Sequence, residues 1–167
     1  MYNELTEVDI KKMKEEINYR ANELRPVLSD DVKEARSLGD LSENAEYRSA
    51  RRAFCRNESR IRFLQKMIRT AKVISTDSAP DEVGLFDKIE VLYEDTGDIE
   101  TLMLSTTTRL DLEKGIISKE SPFGKAVLGK KVGDKVFVKV SPEYSYNVII
   151  KNIIKGSDDE SIPLNGY

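Results

Sequence analysis

Two carboxylates stand close together in the segment from residue 39 to residue 47, which reads GDLSENAEY. Asp40 and Glu43 are three positions apart, and carboxylate oxygens are the ligands that hard cations such as Mg²⁺ prefer. The same spacing is typical of a helix start, at which Asp40 would be the N-cap and Glu43 would complete a capping box. The spacing alone leaves both interpretations open, metal chemistry and helix capping.

Helical patterns run into this segment and away from it. Apolar residues recur at steps of three and four from Leu5 to Leu38, which predicts a first long helix, with Thr6 and Asp9 as its start signal. Pro26 removes a backbone donor and is expected to distort this helix near residues 22–25. Gly39 is expected to end it, because glycine readily adopts the left-handed conformation found just after helices.

A heptad pattern predicts the second helix, from about Leu41 to Val73. Its seam consists of Tyr47, Ala50, Phe54, Asn57, Ile61, Leu64, Ile68 and Ala71. Asn57 is the one polar residue of the seam, and a buried polar residue at such a position often fixes helix register. Two helices joined by a short turn predict an antiparallel hairpin with arms roughly 45 Å long, at 1.5 Å per residue. The two carboxylates would then lie at its far end.

Arginines crowd the second helix just after the carboxylates. They are Arg48, Arg51, Arg52, Arg56, Arg60 and Arg62, and the heptad pattern places all six on outward positions. Glu58 is the one acid among them. An ordinary solvated surface is one interpretation, and phosphate contact is the other, since the guanidinium fork matches phosphate oxygens. Cys55 lies on the same face, and the sequence leaves open whether its thiol has any redox role.

The composition narrows the classes of function. The chain of 167 residues has no His and one Cys, which excludes His-based catalysis, HExxH-type zinc motifs and a disulfide framework. No apolar run is long enough to span a membrane and no secretory leader is expected, so the sequence predicts a cytoplasmic protein. Lys and Arg outnumber Asp and Glu by 16 to 13 up to Ser75, whereas acids prevail by 17 to 11 thereafter. This asymmetry predicts two domains with different partners.

Period-two alternation replaces the helical pattern in the second half of the chain. The expected strands are residues 88–94, 99–105, 135–140 and 144–154, and the expected short helix is 121–129, capped by Ser121 with Pro122 at its first position. The sequence therefore predicts an α+β fold. Its expected parts are a helical hairpin at 1–75, a linker at 76–80, a small antiparallel β domain at 81–155 and a flexible tail at 156–167.

The segment from Gly39 to Tyr47 resembles the tip signature of the bacterial Gre-type transcript cleavage factors, the GreA/GreB family. The resemblance continues in order through nearly the whole chain. It is carried by Leu24-Arg25-Pro26, Ala71-Lys72-Val73-Ile74, Gly115-Ile116-Ile117-Ser118, Ser121-Pro122, Ala126-Val127-Leu128-Gly129 and Gly133-Asp134. Two features depart from a single pattern: the arginines resemble the GreB branch whereas Leu41 resembles GreA, and residues 105–110 lack the Gly-containing stretch expected there. The branch is therefore left open.

The resemblance implies an accessory factor for bacterial RNA polymerase that is not itself an enzyme. An FKBP-like C-terminal domain would dock at the rim of the polymerase secondary channel through Ser121, Pro122 and Phe123. The hairpin would extend down the channel, where Asp40 and Glu43 would help to hold a Mg²⁺ ion of the polymerase active centre. The factor would bring no cofactor of its own and would be a monomer when free. Nascent backtracked RNA would be cut, and elongation would resume.

The remaining candidate residues have supporting roles under the same resemblance. Support of the tip is expected from Gly39, Leu41, Ser42, Asn44 and Tyr47, and contact with RNA phosphates from Arg48, Arg51, Arg52 and Arg56.

Two other functions are compatible with the chain. One is a related regulator that occupies the secondary channel without stimulating cleavage, against which the intact Asp40 and Glu43 argue. The other is an FKBP-like prolyl isomerase with a helical arm. The chain has no Trp and shows no aromatic cluster suited to an isomerase pocket, so this function ranks last.

Overall fold

The computed structural model describes residues 4–37 and 44–165 of the chain. Its contacts divide these residues into two compact units. One unit runs from Ile10 to Ala71, and the other combines the residues up to Asp9 with those from Lys72 onward. Among the described residues, none of the helices is both long and apolar enough to cross a membrane.

The unit from Ile10 to Ala71 is helical. Helix α1 spans Glu7–Tyr19, α2 spans Arg25–Ser37 and α3 spans Ala45–Arg69. The hydrogen-bonded pairs that connect the arms include Glu16 with Arg60, Arg20 with Asn57, and Ala35 with Asn44. Because the numbers rise on one arm while they fall on the other, the arms are antiparallel, which confirms the predicted hairpin.

A π-helical turn at Arg20–Leu24 separates α1 from α2. The N–H of Arg25 donates to the carbonyl of Arg20, five residues back, instead of four. Pro26 follows directly, and a proline inside a helix has no N–H and crowds the carbonyl four residues before it. A π turn relieves such crowding. The irregularity expected near Pro26 is thus confirmed, and its form is a π turn.

A five-stranded sheet forms the centre of the other unit. Its strands are β3 (Lys88–Tyr93), β4 (Ile99–Ser105), β5 (Ile116–Ser118), β6 (Lys135–Lys139) and β7 (Ser145–Ile154), in the order β5-β4-β3-β7-β6. All neighbouring pairs are antiparallel except β4 and β5, which are parallel. The α+β fold is confirmed, and the sheet is mixed where the sequence predicted an antiparallel one. Strand β5 has three residues, too few for alternation to be recognised in the sequence.

Helix α4 spans Pro122–Val127 and covers one face of the sheet. As predicted, Ser121 is its N-cap, Pro122 occupies its first turn, and Gly129 follows with φ of 75°. The fully or nearly buried core contains Val83, Ile89, Val91, Leu102, Leu104, Phe123, Val127, Val136, Val138, Val148 and Ile150. Burial of these apolar side chains is the main source of stability for this unit.

The first residues of the chain belong to the unit that contains the sheet. Strand β1 (Glu4–Leu5) pairs in parallel with β2 (Lys72–Val73). The predicted first helix is therefore shorter at its start, and the predicted second helix ends at Arg69 instead of Val73. The helical unit is likewise shorter than the hairpin domain expected at 1–75. Both ends of that expected domain form the small sheet of β1 and β2, which belongs to the other unit.

The segment from residue 156 onward contacts the sheet unit at several places. The N–H of Gly156 donates to Asp87, the carbonyl of Asp159 accepts from Arg109, and the N–H of Asn165 donates to the carbonyl of Thr108 at 2.7 Å. The sequence predicts a flexible tail here and gives no sign of these contacts.

Candidate functional site at the end of the helical hairpin

Most of the sequence-predicted tip lies outside the described residues. This applies to Gly39, Asp40, Leu41, Ser42 and Glu43. The described flanks are Ser37, the last residue of α2, and Asn44, which precedes α3. Next to the tip, the structure describes the geometry of these two helix ends.

Asn44 joins the two helix ends with its side chain. Its Oδ1 accepts the backbone N–H of Tyr47 at 2.9 Å, which makes Asn44 the N-cap of α3. Its Nδ2 donates to the backbone carbonyl of Ala35 at 2.8 Å, near the end of α2. Both helix ends have backbone groups without intrahelical partners, and one amide side chain satisfies a group on each. Asn44 therefore holds the end of α2 to the start of α3.

The N-cap at Asn44 corrects the expected helix start. The capping box predicted from Asp40 and Glu43 would need Asp40 as the N-cap of α3, but the helix begins at Ala45. Glu43 precedes the N-cap and cannot occupy the third helical position. The N-cap bond of α3 therefore comes from Asn44 and requires neither Asp40 nor Glu43.

An open groove of about 440 Å³ lies between α2 and α3 beside the helix ends. Its lining residues are Asp31, Glu34, Ala35, Glu46, Ser49, Ala50 and Ala53. Tyr47, a predicted seam residue and tip support, is half-buried. Acidic side chains thus border the groove next to the tip, while small residues on α3 form its floor.

The arginines of α3 are exposed, with one exception. Arg48, Arg51, Arg52, Arg56 and Arg62 face solvent, as the heptad pattern predicted. Glu58, the acid within this stretch, pairs with Arg25 on the opposite arm at 2.6 Å and so does not neutralise the stripe. Within residues 4–37 and 44–165, Arg51, Arg52 and Arg56 form no ion pair. The exposed face near the tip therefore carries excess positive charge.

Arg60 is the exception, and its predicted outward position is wrong. Its side chain is only 6% exposed and makes two hydrogen bonds of 2.9 Å to the carboxylate of Glu16. The partner lies 44 positions away in the chain, so the heptad pattern of one helix could not reveal it. Cys55, by contrast, is exposed as expected.

Metal binding by the chain itself has no described site. Among the described residues, no three His, Cys, Asp or Glu side chains are grouped so that they could hold an ion. Asp40 and Glu43, the metal ligands that the sequence predicts, lie outside the described residues.

The predicted docking residues form the start of α4. The hydroxyl of Ser121 accepts the N–H of Gly124 at 2.9 Å, and Pro122 is exposed beside it. A side chain at Gly124 would place its Cβ 2.3 Å from the carbonyl oxygen of Ser118, so only glycine fits there. Phe123 is buried in the core, and its assignment as a contact residue is therefore wrong: it holds the turn from beneath.

Three tyrosines cluster on the sheet unit, which the sequence analysis did not foresee. The ring centroids of Tyr93 and Tyr146 are 5.6 Å apart, and those of Tyr144 and Tyr146 are 5.8 Å apart. The hydroxyl of Tyr93 donates to Glu100, and burial together with this hydrogen bond raises the pKa of Tyr93 above its usual range. These residues come from the end of β3 and the start of β7, which pair only in the folded sheet.

Two protein families match the chain over its two halves. Residues 3–73 match the family described as "Transcription elongation factor, N-terminal", and residues 76–155 match "Transcription elongation factor, GreA/GreB, C-term". Together the matches cover nearly the whole sequence.

Curated relatives and solved structures show the same likeness. The chain is 37% identical over 146 residues to transcription elongation factor GreA of Mesoplasma florum, which covers 86% of this chain and 94% of that protein. It is 38% identical over 152 residues to GreA of Oenococcus oeni, covering 90% and 94%. The crystal structure of GreA factor homolog 1 of Thermus thermophilus aligns at a TM-score of 0.41 and 20% identity, over 91% of this chain and 98% of that one. A TM-score of this size supports no conclusion about function.

Proposed function

The chain belongs to the GreA/GreB family of transcription elongation factors, and on this basis we propose that it stimulates RNA cleavage by bacterial RNA polymerase. It would bind the polymerase through the secondary channel and act on backtracked complexes. The nascent RNA is then cut at the polymerase active centre, so that an arrested complex can resume elongation.

The N-cap at Asn44 is the observation that carries this proposal. Asp40 and Glu43 precede Asn44 in the chain, and the N-cap bond of α3 comes from Asn44. An acid that caps a helix has its oxygens occupied by backbone N–H groups. Because Asn44 takes that role, α3 requires neither acid as its N-cap, which supports a role for Asp40 and Glu43 with another partner.

The proposed role of these acids is to donate oxygens within the polymerase active centre. A Mg²⁺ ion held there supplies a Lewis acid and can activate a water molecule for attack on a phosphodiester. Asp40 and Glu43 would provide carboxylate ligands and negative charge at that position. The factor adds no cofactor of its own, and the reaction belongs to the polymerase.

The arginine face of α3 is proposed to contact the displaced RNA. Arg48, Arg52 and Arg56 follow one another at steps of four, which places them along one line of the helix. All three are exposed. Guanidinium groups bind phosphate oxygens in a bidentate manner, without regard to base sequence. Arg51 lies next to this line and would join the same contact.

The sheet unit is proposed to dock at the rim of the channel. Pro122 is exposed and Ser121 is half-buried, and the close packing at Gly124 holds this turn in one conformation. A rigid, exposed turn costs little conformational entropy on binding. The protein would act in the cytoplasm, where the polymerase is, as a monomer when free.

A regulator that occupies the channel without stimulating cleavage is the second candidate. It would need the docking turn and the hairpin but no free carboxylates at the tip. The two acids in the sequence, together with an N-cap at Asn44 that requires neither of them, favour the cleavage factor.

One experiment separates these functions. The protein is added to stalled, backtracked polymerase complexes, and the RNA is resolved on a gel after a chase. Shortened RNA and renewed elongation are expected. Binding to polymerase without shortened RNA would indicate the channel-occupying regulator, and absence of binding would refute both.

A further inference from the structure

A cluster of polar side chains interrupts the apolar seam in the middle of the hairpin. We call it the polar node, and it consists of Glu16, Arg20, Asn57 and Arg60. Counted over the whole residue, the exposed fraction is 2% for Asn57 and 5% for Arg60. Ile61 and Leu64 continue the buried seam beyond it. Polar groups this deep in a helix pair are stable only when their hydrogen bonds are made.

Both polar atoms of the Asn57 side-chain amide form hydrogen bonds. Its Nδ2 donates to the backbone carbonyl of Arg20 at 3.2 Å, and its Oδ1 accepts from Nη1 of the same arginine at 3.3 Å. The two residues are 37 positions apart and lie on opposite arms. One residue of the first arm thus satisfies the side chain of Asn57 through both its backbone and its guanidinium.

The carbonyl of Arg20 belongs to the π turn, and the described part of the hairpin contains one such turn. It accepts the N–H of Arg25 in the π turn, where the helix ladder changes from four-residue to five-residue spacing. In a regular helix, carbonyls are directed along the axis toward the N–H four residues ahead. The wider turn offers this carbonyl to an additional donor from the neighbouring helix. Among the described residues of the hairpin, no second π turn one heptad away offers an equivalent carbonyl.

The guanidinium of Arg20 is fixed from its other side. Its Nε donates to Glu16 at 2.7 Å, and the same carboxylate accepts two bonds of 2.9 Å from Arg60 on α3. Glu16 therefore connects both arms as well. If α3 slid by one turn, Asn57 and Arg60 would lose these partners together while remaining buried, which is strongly unfavourable.

We propose that Asn57 is a positioning residue that fixes the register of the two arms through the carbonyl of Arg20. Ser37 and Asn44 end the arms, and residues 38–43 connect them in the chain. Sliding of one arm along the other would have to be taken up by this connection, which holds Asp40 and Glu43, and at the opposite end by the residues that join the arms to β1 and β2. The polar node thus sets the position of both carboxylates from a distance. This role rests on the proposed function, whereas the register itself is a property of the free protein.

The register is tested on the free protein by distance measurement between two spin labels. In a Cys55→Ser background, cysteines replace the exposed residues Lys14 and Ser49 and carry the labels. A single narrow distance is expected with Asn57 present. Asn57→Leu, which makes the seam apolar, is expected to add a second distance displaced by about 5 Å, the rise of one helical turn. An unchanged single distance in Asn57→Leu would overturn the proposal.

Two variants separate register from stability. Ile61→Val weakens the neighbouring apolar packing but leaves the polar node intact, and it is expected to keep the single distance. If Asn57→Leu does not fold, Asn57→Ala takes its place with the same expected result. A second distance in Ile61→Val equal to that in Asn57→Leu would contradict a specific role for Asn57.

The link to activity is measured in the cleavage assay. At saturating factor, Asn57→Leu is expected to lower the cleavage rate at least tenfold, while its competition with the unaltered protein for polymerase changes less than twofold. A shifted register with an unchanged rate would refute the positioning role. If the unaltered protein stimulated no cleavage at all, the proposed function would fail, and the distance measurement would still decide the register.

Discussion

Asp9 and Arg109 form a buried ion pair between residues that are 100 positions apart in the chain. Neither side chain is exposed. Arg109 also donates to Thr6 and Asp158, and its guanidinium stacks on the ring of Phe86 at 4.8 Å. The pair therefore connects the start of α1, the turn after β4 and the C-terminal segment within one unit.

Arg109→Met is expected to destabilise the sheet unit by about 3–5 kcal/mol, because it leaves the carboxylate of Asp9 buried without a counter-charge. The free energy of unfolding is measured by urea denaturation. The matched double variant Asp9→Asn, Arg109→Met removes the charge from both sides and is expected to recover a substantial part of this loss. A loss below about 1 kcal/mol in Arg109→Met would show that the pair is not structurally important.

Local signals around this pair were readable in the sequence, whereas the pair itself was not. The capping pattern of Thr6 and Asp9 is confirmed: the N–H of Thr6 donates to Asp9, and the N–H of Asp9 donates to Thr6. Such bonds join residues three apart and follow from residue type. The partner of Asp9 in the tertiary structure lies in a stretch that departs from the family pattern, and no periodicity relates the two positions.

Asn44 supplies a prediction about the support of the tip. Asn44→Ala removes the N-cap of α3 and is expected to cost about 1 kcal/mol of stability. Asn44→Asp keeps an acceptor for Tyr47 and adds a negative charge, which is favourable at a helix N-terminus, but it loses the bond to the carbonyl of Ala35. We expect Asn44→Asp to fold with nearly unchanged stability and to stimulate cleavage less.

Thermal unfolding and the cleavage rate at saturating factor measure the two effects of Asn44 separately. Cleavage by Asn44→Asp at the rate of the unaltered protein would mean that the bond between α2 and Asn44 does not matter for the tip.

Glu16 predicts how hairpin stability depends on pH. Burial raises the pKa of its carboxyl, but the hydrogen bonds from Arg60 and Arg20 outweigh this effect and hold the pKa below its ordinary value of 4.5. A pKa lowered by folding stabilises the folded state above the unfolded value, and this stabilisation is lost as the pH falls through the folded value.

The measurement compares the unaltered protein with Glu16→Gln across this pH range. The difference in unfolding free energy is expected to be full at pH 7 and to shrink as the pH falls below 4.5. A difference that stayed constant down to about pH 2, well under the usual carboxyl range, would contradict the ion pairs of Glu16.

The arginine face predicts a dependence on RNA length. Arg52→Glu with Arg56→Glu is expected to lower cleavage of long backtracked RNA more than of short, because only a long displaced strand would extend along α3. The loss should diminish as salt rises, since phosphate contacts release counterions. Arg62→Glu with Lys66→Glu is the matched control, with the same charge change at the same spacing on exposed positions of the same helix. Equal losses of cleavage from the two double variants would indicate an effect of the overall charge of α3 and not an RNA contact at Arg52 and Arg56.

Within the hairpin, the sequence predicted the helices and their apolar seam but misplaced two polar features. Asp40 and Asn44 are both good N-cap residues, and the choice of Asn44 depends on a carbonyl of α2 that only the folded hairpin brings near. Arg60 was expected to face outward because the heptad pattern places it outside the seam. Its buried position depends on Glu16 on the other arm. Both errors concern partners that are distant in sequence.

The most direct test of the central claim is the cleavage rate of Asp40→Asn and of Glu43→Gln at saturating factor, with polymerase binding measured by competition. These substitutions keep the size of each side chain and remove its charge. Because neither acid caps α3, stability should change little. Stimulated cleavage is expected to fall at least tenfold in each variant, while polymerase binding stays within twofold. Near-unaltered cleavage in both, with binding intact, would contradict this expectation.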